Sequence, residues 1–102
     1  MRIDLLCDNL LTRTRLQETW KRAGCDVRRL GDEVGDFVVV DLSARGAIER
    51  IGELRARLPE VEILAFGPHV NGEAFKAARA AGATRLVARG SVLDRVLRRL
   101  RS

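Results

Sequence analysis

FVVVDLS (Phe37–Ser43) is the stretch from which the rest of the chain can be read. Four apolar residues in a row, Phe37–Val40, have no polar face. Such a run fits a strand covered on both sides, as the strands of a parallel sheet are. It ends in a carboxylate, Asp41. Working outward, three other short apolar runs end in the same way but in different chemistry. Ile3–Leu6 leads into Cys7-Asp8-Asn9, Ile63–Phe66 into Gly67, and Leu86–Ala88 into Arg89. In an open α/β sheet the ligand crevice lies beyond the carboxyl ends of the strands. Two carboxylates, an amide, a bare backbone and a guanidinium are therefore expected at one place, as the remnant of a phosphate- or metal-handling site.

Between these runs the spacing turns helical. Asn9 can cap a helix running to Ala23, with Leu16, Trp20 and Ala23 on one face and Gly24 as its stop. Trp20 is expected in the core, its indole N–H requiring an acceptor. Asp26–Leu30 reads as a polar edge strand. Ser43 is expected to cap a helix striped by Ile48, Ile51, Leu54 and Leu58 and ended by Pro59. Asn71 caps an alanine-rich helix that Gly82 ends. Ser91 with Asp94 resembles a capping box for a last helix, with Leu93, Val96, Leu97 and Leu100 inward and Arg95, Arg98, Arg99 and Arg101 on its wet side.

The order β-α-β-β-α-β-α-β-α predicts a parallel sheet with helices on both faces and strand order 2-1-3-4-5. One crossover is short. Residues 31–36 reach about 20 Å when fully extended, too little for a helix as well as the return. One face near strands one to three should then lack cover. Asp4, in mid-strand, suits either an uncovered face or a sheet margin, and is expected to pair with Arg28.

The 102 residues fit one domain, 1–102, and an apolar share of 46% with 32% charged suits a globular fold. No apolar stretch approaches the roughly 20 residues that cross a bilayer, and no signal peptide is visible, so the cytoplasm is expected. Cys7 and Cys25, with His69 as the lone histidine, make no metal-ligand spacing. His69 is expected to be solvated at the crevice rim. The net charge is +5, and every basic residue but Lys21 and Lys76 is arginine. From Arg79 onward seven arginines face one acid, Asp94, so one end of the molecule is positive.

With the strand ends in place, the chain resembles a response-regulator receiver domain, of flavodoxin-like three-layer α/β/α fold, without the helix between strands 2 and 3. The resemblance runs through DLLCDN (Asp4–Asn9), VVVDLS (Val38–Ser43) and AAGATRLVARGS (Ala80–Ser91). It implies two-component signalling. An acidic pair and an acceptor aspartate hold Mg²⁺, a Thr or Ser follows strand four, and a Lys follows strand five. Position by position, Asp41 is the acceptor equivalent and Asp8 and Asn9 are the acidic pair. Gly67 stands at the hydroxyl position and Arg89 at the lysine. Asp8, Asn9 and Asp41 would then hold Mg²⁺ only weakly, with no other cofactor. Arg89 could grip Asp41 in a two-pronged bond that blocks the acceptor, giving a pseudo-receiver.

Such a domain works by protein contact and is not an enzyme. The expected face is small on one helix (Ala74, Ala77, Ala81) and basic on the other (Arg95, Arg98, Arg99). It fits an acidic protein surface or a second copy in a homodimer, with no membrane role. Two alternatives stay open. Arginines of the last helix could contact nucleic acid, although no tyrosine or aromatic ladder accompanies them. Cys7 to Thr14 also fits C-x5-R-[ST], the loop of cysteine-dependent phosphatases or phosphotransferases, which needs a low-pKa thiolate and a glycine-containing phosphate cradle.

Overall fold

The computed structural model describes residues 1–68 and 72–101. His69 and the Asn71 cap lie outside them. The elements are β1 (Arg2–Leu6), α1 (Leu10–Arg22), β2 (Asp26–Arg29), β3 (Phe37–Asp41), α2 (Ala47–Arg57), β4 (Glu62–Gly67), α3 (Gly72–Ala81) and β5 (Arg85–Ala88). A 3₁₀ turn, Arg89–Ser91, then leads straight into α4 (Val92–Arg101). The five strands form one sheet in the order β2-β1-β3-β4-β5, every pair parallel.

Side chains alternate along the strands, so β1, β3, β4 and β5 each feed two cores, whereas β2 gives only Val27 to one. Ile3, Leu5, Phe37, Val39, Leu64 and Phe66 pack under α1 and α4, together with Leu16, Trp20, Val92 and Val96. Val38, Val40, Ile63 and Ala65 pack under α2 and α3, against Ile51, Leu54 and Ala78. Every residue of β3 is buried, Asp41 included. Trp20 is fully buried, and its indole N–H donates to the Leu93 carbonyl at 3.3 Å, tying α1 to α4.

The short β2–β3 crossover holds no helix, as its length requires, yet the face beneath it is not bare. The segment crosses as a strap, with Leu30 and Val34 packed on the core beside Leu6. Arginines grip its carbonyls: Arg50 at Gly31, Arg57 at Asp32 and Arg2 at Glu33. Asp4 is completely buried beneath it and does not pair with Arg28. Its Oδ1 takes Arg2 at 2.9 Å and its Oδ2 accepts the Gly35 N–H at 2.8 Å. Arg28 pairs instead with Asp26, at 2.9 Å. Residues i and i+2 of a strand share a face, so each arginine reaches the acid on its own strand. Where the strap does not cover β2, charged side chains do.

Two helices also differ from expectation, α2 in its start and α4 in its outer face. α2 begins at Ala47, after Gly46, and not at Ser43. Along α4 the wet side is incomplete, because Arg99 is bound to Glu62 of β4.

Candidate functional site

β1 and β3 are neighbours, so their ends deliver Cys7 and Asp41 side by side; Asp8 follows on the rim. The carboxylate of Asp41 is almost entirely buried, and each oxygen is engaged. Oδ1 accepts the Ser43 backbone N–H at 2.9 Å and Arg89 Nη2 at 2.9 Å. Oδ2 accepts the thiol of Cys7 at 3.5 Å. Arg89 does not form the expected two-pronged bond. A single nitrogen, Nη2, spans Asp41 and the Ser43 hydroxyl, which accepts at 2.7 Å. The second carboxylate oxygen is turned inward to Cys7, out of the guanidinium's reach. The Arg89 guanidinium also stands 6.0 Å from the Phe66 ring centroid, which helps fix it over the crevice.

Asp8 is exposed on the same rim, where its Oδ2 accepts the Arg45 N–H at 2.9 Å and so pins the β3–α2 loop. Asn9 is the N-cap of α1, its side chain accepting the Thr12 N–H at 2.9 Å. Gly67 closes β4 one residue beyond Phe66, the register partner of Asp41. A Cβ there would meet Leu42 and Phe75 at 3.5 Å, ordinary contact, so a Cβ is accommodated. Among the described residues no group of three or more His, Cys, Asp or Glu is arranged to hold a metal ion.

Sequence reasoning missed two participants. Ser43 suits a helix cap by its spacing, and its hydroxyl serves Arg89 instead. Cys7 touches the buried oxygen of Asp41. Its place at the end of β1, next to β3, was the available signal. Burial first, then the charge of Asp41 and the bond to it, push the Cys7 thiol up to about 11. The thiol is therefore protonated at neutral pH, the opposite of what a nucleophilic cysteine needs. The residues after it form no cradle either. Leu10–Arg22 is helix, and Arg13 only reaches back to the Cys7 carbonyl at 3.4 Å.

The remaining candidates disperse. Among the alanines of α3, Ala77 and Ala80 are exposed, Ala74 and Ala81 are half-buried, and Ala78 makes the core contact. Arg95, Arg98 and Arg99 line a cavity at the foot of the sheet, away from the crevice. No described helix is long and apolar enough to cross a membrane.

No family model and no curated protein matches the sequence. Solved structures do match its fold. The receiver domain of the TMAO respiratory response regulator TorR superposes with a TM-score of 0.83 at 18% identity, over 98% of this chain and 92% of that one. A response regulator of Burkholderia pseudomallei bearing a phosphorylated aspartic acid gives 0.81 at 21% identity, over 94% and 64%. A LuxR-family response regulator of Aurantimonas gives 0.77 at 24%, over 98% and 81%. The chain has the receiver fold, with four of its usual five helices among the described residues; the β2–β3 strap stands where the missing one would be.

Proposed function

We propose that residues 1–102 form one receiver-like signalling domain of the cytoplasm. In this reading its acceptor-equivalent Asp41 is held closed and its output is protein contact rather than phosphoryl transfer. The observation that supports this reading is Arg89 Nη2, 2.9 Å from Asp41 and 2.7 Å from Ser43. With the Ser43 N–H on the same oxygen and the Cys7 thiol on the other, an incoming phosphoryl group must first displace the Arg89 contact to reach Asp41. The same engagement argues against Mg²⁺. Magnesium requires near-octahedral oxygen donors, whereas Asp41 carries the Arg89 cation, Asn9 caps a helix and Asp8 Oδ2 holds a loop. While Arg89 bridges Asp41 and Ser43, these residues do not fit the ion. Gly67 has no hydroxyl with which to follow a phosphoryl group.

The contact surface in this reading is the outer side of α3 with the edge strand β5. Phe75 and Leu86 are half-buried there, beside exposed Lys76 and Arg79. An apolar groove with a basic rim fits an acidic partner. Nucleic-acid binding by α4 is less well supported, since Arg99 is directed to Glu62.

The test is incubation with Mg²⁺ and either acetyl phosphate or beryllofluoride, read by intact mass and by amide spectra. The native chain is expected to gain no adduct and to show no shift at Asp41. The double variant Arg89→Lys/Gly67→Thr, which opens the latch and supplies a hydroxyl, is expected to gain a Mg²⁺-dependent adduct. Modification of Asp41 in the native chain would overturn the reading.

A further inference from the structure

Two carboxylates are buried among the described residues, Asp4 and Asp41, and each is paired with one arginine. A buried charge stripped of its partner is strongly destabilising. The two pairs are built differently. Arg2 reaches Asp4 from its own strand, whereas Arg89 reaches Asp41 across 48 positions of sequence, from the turn after β5. The Asp41 side chain is 3% exposed and that of Arg89 42%. The inner oxygen of the carboxylate is closed by the Cys7 thiol, and the guanidinium stands on the outer one, in contact with solvent.

A second carboxylate is tied to the same loop. The Ser43 N–H donates to Asp41 and the Arg45 N–H to the exposed Asp8, each at 2.9 Å. Arg13, the other arginine directed at the crevice, is turned to the Cys7 carbonyl. Without Arg89 the crevice would hold two carboxylates pinned to one short loop, and Asp41 would have lost its ion-pair partner. That donor set suits a hydrated Mg²⁺, which takes one or two carboxylates and keeps several waters.

Resting on the closed-acceptor reading, we propose that Arg89 is a tethered cation doing the charge-neutralising work of the metal. It compensates Asp41 from within the chain, so the native protein is stable without a divalent ion and indifferent to one. The tether decides the competition. The Val92 N–H donates to the Arg89 carbonyl and fixes the base of the side chain. A group held on so short a link has an effective concentration of about mM or more at its partner. A free ion held by two carboxylates must overcome that, and the repulsion of the guanidinium as well.

Thermal unfolding and calorimetric titration of the full chain with MgCl₂, against NaCl at matched ionic strength, test this. The native chain is expected to give no heat of Mg²⁺ binding and no change in melting temperature. Arg89→Gln should melt lower in NaCl and recover by at least about 5 °C in ~10 mM Mg²⁺, as a site with a dissociation constant of about 1 mM would give. Adding Asp41→Asn to Arg89→Gln removes the charge that needs a cation and should abolish the recovery. Arg15→Gln, on the exposed side of α1, removes the same charge elsewhere and should gain no Mg²⁺ response. Stoichiometric Mg²⁺ binding by the native chain overturns the inference. So does an Arg89→Gln chain that fails to fold in either salt or folds without responding to Mg²⁺, a recovery that survives Asp41→Asn, or an equal response in Arg15→Gln. Each is distinct from the adduct on native Asp41 that would overturn the closed-acceptor reading itself.

Discussion

Cys7 and Asp41 share a buried contact at the tip of two adjacent strands, and the thiol's protonation follows from it. Its pKa is raised from 9.0 to about 11, by burial first and then by Asp41. A raised folded-state value means that the stability tied to the protonated thiol is complete below pH 9. It is lost as pH climbs toward 11. Urea midpoints of the native chain should therefore fall across that window, and those of Cys7→Ala should fall less. Cys7 and Cys25 are both buried and free, so alkylation at pH 7 should reach neither until the chain unfolds. At this scale the sequence was half legible. That strand ends converge was enough to put Arg89 on Asp41. Ser43 was not legible, because a serine two residues past a strand suits a helix cap and a guanidinium acceptor equally, and only the α2 start at Ala47 separates them.

Among the elements, the strap between β2 and β3 shows where local pattern stops informing. Counting residues excluded a helix there. Nothing local revealed that arginines from β1 and α2 would hold the segment, since their partners are 19, 25 and 31 positions away. Asp4 is the pivot. Gly35 must come so close to it that a Cβ would lie 3.2 Å from both Asp4 and Arg2. Asp4→Ala leaves the Gly35 N–H without its acceptor and Arg2 with the Glu33 carbonyl alone, and should cost about 2–3 kcal/mol in urea unfolding. A loss below about 0.5 kcal/mol would mean the strap holds itself. Gly82 plays a comparable part at the end of α3. Its φ is +123°, and a Cβ would sit 2.6 Å from Arg55 Cγ. Arg55 in turn binds the Gly82 carbonyl at 2.9 and 3.0 Å and reaches Thr84 Oγ1 at 3.2 Å. Gly82→Ala should lower stability by more than about 1 kcal/mol, read as a drop in melting temperature.

For the molecule as a whole, charge is distributed unevenly. Lys76 and Arg79 flank the groove beside β5, and further arginines occupy α4. Two copies meeting through that groove would bring like charges together. Sedimentation should thus find a monomer at low ionic strength, with any self-association through this face appearing only as salt shortens the Debye length from about 10 Å at 0.1 M toward 3 Å at 1 M. A dimer tightest at low salt would place the contact elsewhere. The strap carries the opposite sign, with Asp32, Glu33 and Asp36 exposed. Its anchors are main-chain atoms: carbonyls at Gly31, Asp32, Glu33 and Asp36, and the amide of Gly35. Identity at positions 32, 33 and 36 is consequently decoupled from architecture. Those three residues form a freely editable patch, where labels, reversed signs or recognition tags can be written without disturbing what keeps the polypeptide folded.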